Sequence, residues 1–268
     1  SANFCYTYAM SDEILLTIND QIATLTVNRP QALNALNWTA QEQFATAVNN
    51  IAANETVRVL IVTGAGFRAF VAGADLKQMS SHPEQAGGER LNRIMSGALT
   101  QLTQIPIPVI AAINGDAFGG GCEIITACDL RIAANHVRFS LAQVRNALTS
   151  GWGGTARLVR QIGQSRAMDL MLTARLMDVR EAQAIGFVHQ IVTKAALQTA
   201  VSTLAQQIVQ LPRHALAANK ALVQYAAQNN ADNTNQLETD LFVSLWTQPD
   251  HIEAMNAFVE KRKPTFSA

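Results

Sequence analysis

The stretch from Pro108 to Ala134 constrains the fold more than any other part of this chain. It opens on an apolar, β-branched run at 109–113 that predicts a buried strand. Asn114-Gly115 and a glycine triplet at 119–121 break that run, and helical spacing resumes after the triplet. A strand entering a glycine cluster at a helix start leaves backbone N–H groups aimed at one spot, which suits a phosphate or a developing oxyanion. Because Glu123 lies in the same turn, the sequence predicts an anion site beside a carboxylate.

The order of strand and helix patterns predicts the fold class. Two β-prone runs at 14–18 and 22–27, joined by a polar turn, predict a hairpin. The segment 80–88 is predicted to be an exposed loop, and a helix is predicted from Arg90 onward. Strand–helix units recur through the first two thirds of the chain, and the chain is predicted to be helical after Ala195. This order predicts an α/β fold with a helical C-terminal layer.

Charge and cysteine content argue against several classes of protein. Lysine plus arginine and aspartate plus glutamate both number 20, and a nucleic-acid-binding protein would usually show a basic excess. Cys5, Cys122 and Cys128 lack metal-ligand spacing. Cys122 and Cys128 are expected to be small core residues in a reduced compartment, so we expect the cytoplasm. No apolar run is long enough to insert into a membrane, and the first ten residues lack the pattern of a signal peptide.

Five motifs, in order from about Ile14 to Phe266, resemble those of the crotonase family, also called the enoyl-CoA hydratase/isomerase superfamily. They are NRPQALNAL at 28–36, AGADLK at 72–77, NGDAFGGGCE at 114–123, GWGGT at 151–155 and AFVEKRKPTF at 257–266. The resemblance implies a spiral of repeated ββα units over residues 11–195. It also implies that residues 196–268 form a helical region that serves as a lid or joins subunits into a trimer or a dimer of trimers.

The resemblance also implies an enzyme that binds an acyl-CoA thioester and stabilises its enolate. The oxyanion hole would be the backbone N–H groups of Ala74 and Gly120, and both residues lie in small-residue turns. Two preorganised donors of this kind matter because losing one commonly costs about 10²–10³ in rate. The resemblance implies no bound cofactor and no metal, since the coenzyme A thioester is itself the substrate.

Contacts to coenzyme A are likewise implied by the resemblance. The adenine and pantetheine would lie against the loop at 31–33 and the turn at 72–74, while Lys77 and Lys261 would meet phosphates. The residues implied in binding are Gln31, Ala32, Leu33, Ala72, Asp75, Leu76, Lys77 and Lys261. Phe242 and Trp246, four residues apart, either line an acyl pocket or pack helices, and packing is preferred.

One catalytic position departs from the family pattern. The family's hydratases use two glutamates, and here the first is Glu123 while the position of the second holds Gln143. An amide orients water but exchanges no proton near neutral pH, and general acid–base assistance is typically worth about 10²–10⁴ in rate. Three interpretations stay open: hydration with Glu123 moving the protons, isomerisation by a single carboxylate, and acyl-CoA binding with little turnover. Hydration is preferred.

Two further acids are expected to be structural rather than catalytic. Asp75 is expected to cap the helix that follows AGADLK. Asp129, at the end of a helix and the start of a strand, is expected to act as a cap or to pair with Arg131.

Overall fold

The structure, a computed structural model, describes residues 6–8 and 13–266 of the 268-residue chain. Cys5 lies outside the described residues. The described strands are β1 (Tyr6–Tyr8), β2 (Ile14–Asn19), β3 (Ile22–Val27), β4 (Val59–Gly64), β5 (Ala69–Val71), β6 (Val109–Ile113), β7 (Asp116–Phe118), β8 (Leu130–Ala134), β9 (Arg138–Ser140), β10 (Met177–Asp178) and β11 (Gln190–Val192). The described helices are α1 (Trp38–Ala52), α2 (Leu76–Met79), α3 (Gln85–Gln104), α4 (Gly120–Ala127), α5 (Gly154–Ile162), α6 (Gln164–Thr173), α7 (Val179–Ala184), α8 (Leu197–Val209), α9 (Arg213–Ala226), α10 (Ala231–Trp246) and α11 (Pro249–Val259).

The strands form two sheets. In the larger, with the order β1-β2-β3-β4-β6-β8-β11, the first three strands are antiparallel and the pairs from β3 to β11 are parallel. The smaller has the order β10-β9-β7-β5. Three times a strand of the larger sheet continues into a strand of the smaller one and then into a helix, as β4-β5-α2, β6-β7-α4 and β8-β9-α5. The predicted α/β fold of repeated ββα units is confirmed.

Burial follows the position of each strand in the larger sheet. Strands β2 and β3 form the predicted hairpin, and their residues alternate between buried and partly exposed because one face packs against α1. Strand β6, by contrast, is buried at all five positions, since it pairs on both sides and α8 packs against it. An unbroken apolar run is therefore the pattern of an interior parallel strand.

A buried amide holds the turn between β4 and β5 in place. The Asn114 side chain accepts a hydrogen bond from Gly64 N at 3.1 Å and donates to the carbonyls of Gly64 and Gly66 at 2.7 Å each. Because Asn114 directly follows β6, this side chain joins the carboxyl ends of two neighbouring strands. Asn114 therefore ends strand β6 and also holds the turn that follows β4.

The structure corrects two predictions about local structure. The segment 80–88 is not a loop throughout, because α3 begins at Gln85, and a β-carbon at Gly87 would lie only 2.5 Å from His82 O. Strands β5 and β7, each three residues long, lie where the sequence predicted only turns. Such short strands depend on pairing with β7 and β9 of the smaller sheet, which a local sequence pattern does not reveal.

Helices α8 to α11 form the predicted helical C-terminal region, with breaks at 210–212, 227–230 and 247–248. Lys220 on α9 connects this region to the core, because its ammonium lies 2.7 Å from an Asp129 carboxylate oxygen. The expectation that Asp129 acts as a helix cap or pairs with Arg131 is wrong. Asp129 pairs with Lys220 and accepts from Val109 N, whereas Arg131 donates to the Cys128 carbonyl.

The predicted boundary between the spiral core and the C-terminal helical region, at residues 195/196, stays a prediction.

Across residues 6–8 and 13–266, no helix combines the length and the apolar character that crossing a membrane requires.

Candidate active site

The turn that carries Ala74 presents an unused backbone donor. Leu36 N donates to Gly73 O at 2.8 Å, and Asp75 N donates to Leu36 O at 2.9 Å. In a parallel bridge of this kind, the N–H of the residue between those two points away from the partner strand. The Ala74 N–H donates to no other group of the described chain, and Ala74 lines a cavity.

A second unused donor lies at the start of α4. Gly120 is the first residue of this helix, where N–H groups lack partners within the helix. Gly73, with φ of +95°, adopts a backbone conformation that favours glycine, and a β-carbon there would lie 3.2 Å from Gly120 N. The turns of Ala74 and Gly120 are therefore in contact, and both residues line the same cavity.

The Glu123 carboxylate lies beside these donors and is only 2% exposed. Its Oε2 atom accepts three hydrogen bonds: from Ser150 Oγ at 2.6 Å, from Trp152 N at 2.9 Å and from Gly154 N at 2.8 Å. Two of these donors are backbone groups of the GWGGT turn, which wraps around the carboxylate. Glu123 is thus not an exposed residue that merely interacts with the dipole of its helix.

The Oε1 atom of Glu123 has fewer partners. Gln143 Nε2 donates to it at 3.0 Å, and Gly151 N lies 3.3 Å away. The structure therefore brings together the two residues that the sequence singled out, Glu123 and Gln143. Because the Gln143 amide must turn its NH₂ group toward an acceptor, its carbonyl oxygen is free to accept a hydrogen bond elsewhere.

Arg157 connects the helix of Glu123 to the turn that wraps around it. Its guanidinium donates to Thr126 Oγ1, to Glu123 O and to Trp152 O. Burial lowers the pKa of this guanidinium, and the nearby Glu123 charge opposes that effect. Arg157 therefore stabilises the frame of the site through main-chain contacts, while the Glu123 carboxylate keeps its other donors.

The cavity beside Glu123 has a volume of about 350 Å³. Helix α3 and the segment before α5 supply much of its wall. Apart from Glu123 and the two donor turns, its lining includes Leu76, Leu91, Asn92, Phe118, Leu148 and Trp152. Apolar side chains beside a carboxylate, an amide and two backbone donors suit a ligand with an apolar tail and one polar reacting group.

The neighbouring thiol is unsuited to nucleophilic chemistry. Burial raises the pKa of Cys122 to about 12, and its Sγ donates to Ala117 O at 3.1 Å. The thiol therefore stays protonated near neutral pH. Among the described residues that line the cavity, Glu123 is the only acid.

Comparisons with known proteins identify the family of this chain. The model of the family described as enoyl-CoA hydratase/isomerase matches residues 17–268. The short-chain-enoyl-CoA hydratase of Clostridium acetobutylicum is 35% identical, over 94% of this chain and 96% of that protein. The crotonyl-CoA hydratase of Syntrophomonas wolfei is 36% identical, over 95% of this chain and 98% of that protein. A crystal structure titled as an enoyl-CoA hydratase subunit of Geobacillus kaustophilus, 34% identical, superposes with a TM-score of 0.89 over 96% of this chain and 99% of that one.

The chain belongs to the enoyl-CoA hydratase/isomerase family. The predicted resemblance is confirmed, and this is an enzyme family.

In this family member, the residues implied in coenzyme A binding do not all lie at the cavity. Ala72 N donates to Leu33 O at 3.2 Å, so the loop at 31–33, which includes Ala32, lies against the turn at 72–74. Ala72 and Leu76 line the cavity. Gln31 and Lys77 are exposed outside it, and their contacts to coenzyme A stay predictions.

Asp75 and Lys261, which are also implied in coenzyme A binding, do not line the cavity. The Asp75 carboxylate ion-pairs with Arg29 at 3.0 Å and caps α2 by accepting from Gln78 N at 3.4 Å. Its expected role as a helix cap is confirmed, and the carboxylate is already engaged. Lys261, with φ of +56°, follows α11 and is exposed, and the structure does not bring it to the cavity within one chain.

Phe242 and Trp246 also lie apart from the cavity. Their rings contact each other at 5.5 Å between centroids, yet they are 61% and 51% exposed. They line a separate groove between α9, α10 and α11.

Ser150 is the contact that the sequence interpretation missed. Its hydroxyl makes the shortest hydrogen bond to Glu123 in the site. A signal was present, since a serine directly precedes the GWGGT turn. Ser150 is 27 residues from Glu123, however, and only the packing of α5 against α4 brings the two together.

Proposed function

We propose that this chain adds water across the C2=C3 double bond of a short-chain 2-enoyl-CoA and releases a 3-hydroxyacyl-CoA. The observation that carries the proposal is the buried Glu123 carboxylate with the Gln143 amide beside it, in a cavity also lined by Ala74 and Gly120. The names of the hydratases from Clostridium acetobutylicum and Syntrophomonas wolfei support it and favour four-carbon acyl groups.

The two unused backbone donors provide the oxyanion hole of this proposal. The thioester oxygen accepts from Ala74 N–H and Gly120 N–H, and negative charge grows on that oxygen when water attacks C3. The donors are fixed before the reaction begins, so they stabilise the enolate without reorganising.

Proton movement is assigned to Glu123. As the water oxygen bonds to C3, Glu123 Oε1 takes one of its protons and the C2=C3 electron pair moves into the enolate. The enolate then takes that proton at C2, which returns the carboxylate to its starting state. The Gln143 carbonyl oxygen accepts the other hydrogen of the water and orients it. The thioester is the substrate, and these steps consume no other cofactor.

Absorbance of crotonyl-CoA, with product identification by mass, tests the proposal. Wild type is expected to convert it to 3-hydroxybutyryl-CoA, and Glu123→Gln is expected to lose more than about 10² of kcat because an amide carries no proton. Glu238→Gln, an exposed exchange on α10, is the matched control. Full activity in Glu123→Gln would show that Glu123 is not the base.

A second candidate is isomerisation of a 3-enoyl-CoA to a 2-enoyl-CoA. It is favoured by one observation: Glu123 is the only acid in the cavity lining, and one base suffices to move a proton between C4 and C2. An assay with 3-enoyl-CoA and product analysis separates it from hydration. Tight binding of acyl-CoA by calorimetry, without turnover on either substrate, would instead indicate a binding protein.

We also propose an oligomeric state, a cellular location and a metabolic role for the enzyme. Apolar side chains on α10 and α11 are strongly exposed, among them Phe258 at 85% and Val259 at 79%, which supports assembly into a trimer or a dimer of trimers. In such an assembly Lys261 would reach coenzyme A on a neighbouring subunit. Light scattering on the purified protein measures the mass of the particle. We place the enzyme in the cytoplasm and in fatty-acid metabolism, without contact to nucleic acid.

A further inference from the structure

The hydroxyl of Ser150 approaches Glu123 more closely than any other donor in the site, at 2.6 Å. We propose that Ser150 is a positioning residue that fixes Glu123 Oε2 and thereby assigns the role of base to Oε1. The inference rests on the proposed function, since it requires Glu123 to move a proton.

The hydrogen bonds of Glu123 are distributed unequally between its two oxygens. Oε2 has three donors within 2.9 Å, whereas Oε1 has two, Gln143 Nε2 at 3.0 Å and Gly151 N at 3.3 Å. A carboxylate offers about four lone-pair sites, two on each oxygen, so the three donors to Oε2 exceed its lone pairs. Oε1 has fewer and longer hydrogen bonds, and it is therefore the oxygen that more readily exchanges one of them for a proton.

Ser150 differs from the other donors to Oε2 in one respect. Trp152 and Gly154 donate through backbone N–H groups, so neither contact depends on a polar side chain that a substitution could remove. The terminal torsion of a glutamate has a broad energy minimum, so the orientation of the carboxylate plane depends on its partners. Ser150 and Gln143 are the two side chains that donate to the carboxylate, one at each oxygen.

The position of Ser150 does not depend on its bond to Glu123. Asn92 on α3 donates from Nδ2 to Gly151 O at 2.5 Å and anchors the same segment from the opposite wall of the cavity. Removing the Ser150 hydroxyl is therefore expected to release the carboxylate and to leave the loop in place. A small change in the direction of a catalytic group is sufficient to slow a reaction, because the base must meet the proton at the right distance and angle.

Ser150→Ala and Ser150→Thr test the inference, with Ser244→Ala on α10 as the matched loss of an exposed hydroxyl. For crotonyl-CoA hydration, Ser150→Ala is expected to lower kcat about 10–100-fold and to leave KM within about twofold. Ser150→Thr, which keeps a hydroxyl, is expected to recover most of the loss. A kcat within twofold of wild type in Ser150→Ala would overturn the inference. So would equal losses in both variants together with a lower Tm.

A second readout separates this inference from the proposed function. Exchange of the C2 protons of butyryl-CoA with D₂O, followed by NMR, requires a base and an oxyanion hole but no addition of water. Exchange by wild type without hydration of crotonyl-CoA would contradict the proposed function, and the same variants would then be compared by exchange rate. Absence of both reactions in wild type would contradict the role of Glu123 as a base and, with it, that of Ser150.

Discussion

The indole ring of Trp152 occupies the space that a β-carbon on Gly120 would need. Two ring atoms, Cζ3 and Cη2, would lie 2.2 and 2.4 Å from such a carbon. Trp152 is only 3% exposed and cannot turn aside without disrupting its surroundings. The residue at 120 is therefore fixed as glycine by packing, at the position where we also place an oxyanion donor.

Gly120→Ala is expected to destabilise the fold by about 3 kcal/mol or more because it overpacks the site. Trp152→Ala is expected to cost about 3–5 kcal/mol through the cavity it leaves. The double variant should lose less stability than the sum of the two single losses, since alanine at position 152 leaves room for the β-carbon at position 120. Chemical denaturation of the four proteins measures this coupling.

Gly97→Ala is the control for that series, because a β-carbon at Gly97 on α3 meets nothing within 4 Å. It is expected to leave stability unchanged or to raise it by less than about 1 kcal/mol. Additive losses in the Gly120 and Trp152 series would show that the contact does not restrict position 120.

Gln143→Glu is expected to raise the rate of crotonyl-CoA hydration. It places a second carboxylate about 3.0 Å from Glu123, and two such groups share a proton, which supplies an acid beside a base. General acid–base assistance of this kind is worth about 10²–10⁴ in kcat. Gln143→Ala, which removes the amide without adding an acid, should lower the rate. A rate for Gln143→Glu at or below that of Gln143→Ala would show that the site is not arranged for two carboxylates.

Asp75→Ala is expected to impair turnover more than Asp75→Asn. Asparagine still caps α2 and loses only the ion pair to Arg29, whereas alanine loses both contacts. Because Asp75 directly follows Ala74, loosening this turn should lower kcat/KM, but by less than the roughly 10²–10³ that losing a whole donor costs. Steady-state kinetics with crotonyl-CoA measure the effect. Equal kinetics in both variants would show that the cap does not hold the Ala74 turn in place.

Lys220→Met is expected to destabilise the protein by about 3–5 kcal/mol, because it leaves the partly buried Asp129 carboxylate without its cation. Adding Asp129→Asn should recover part of the loss. Urea denaturation, monitored by circular dichroism, compares the variants, and Lys77→Met on the exposed surface of α2 is the control. No recovery in the double variant would mean that the charge pair contributes little.

Cys122 and Cys128 are expected to make stability fall in alkaline solution. Burial raises the pKa of each thiol from 9.0 to about 12, so the unfolded chain loses these protons first as pH rises. The stabilisation is complete below pH 9 and is lost between pH 9 and about 12, at roughly 1.4 kcal/mol per pH unit for each thiol.

The free energy of unfolding, measured against pH in wild type and in Cys122→Ala/Cys128→Ala, tests this expectation. The double variant should show the shallower slope. Iodoacetamide should label Cys122 and Cys128 only after denaturation, as peptide masses will show. Equal slopes in the two proteins would refute the proposed linkage.

Local patterns in the sequence were sufficient to predict most strands of the larger sheet, but not β1 or the order in which the strands pair. The hairpin of β2 and β3 has strong alternation, and β6 is an unbroken apolar run, so each strand carries its own signal. Strands β5 and β7 could not be predicted because each has three residues and depends on its neighbour in the smaller sheet. The Asp129–Lys220 ion pair could not be predicted because the two residues are 91 positions apart in the sequence. Arg131 was expected instead because it is the cation nearest to Asp129 in the sequence.

The site was predictable where motifs carried it. Glu123 and Gln143 are in contact, as the resemblance to the family implied, and the turns of Ala74 and Gly120 lie together. The contact of Ser150 with Glu123 was not predictable, because a hydroxyl before a glycine-rich turn has no recognisable partner until α5 packs on α4. Lys261 is another residue whose predicted contact lies outside a single chain, since that contact requires a second subunit.

The hydrogen bonds that hold Glu123 have a consequence for how the enzyme tolerates sequence change. Three of its five donors are main-chain N–H groups, at residues 151, 152 and 154, which nearly every amino acid possesses. Of the three, only Gly151 has open space for a side chain, because a β-carbon at Gly154 would lie 2.6 Å from Glu123 Cγ and the Trp152 ring is packed against Gly120. The acyl cavity can therefore be reshaped at residues outside this turn without removing those three contacts to the base. Libraries intended to change chain-length preference are best directed at Leu91 and Leu148, which line the cavity, while Ser150 and Trp152 are held constant.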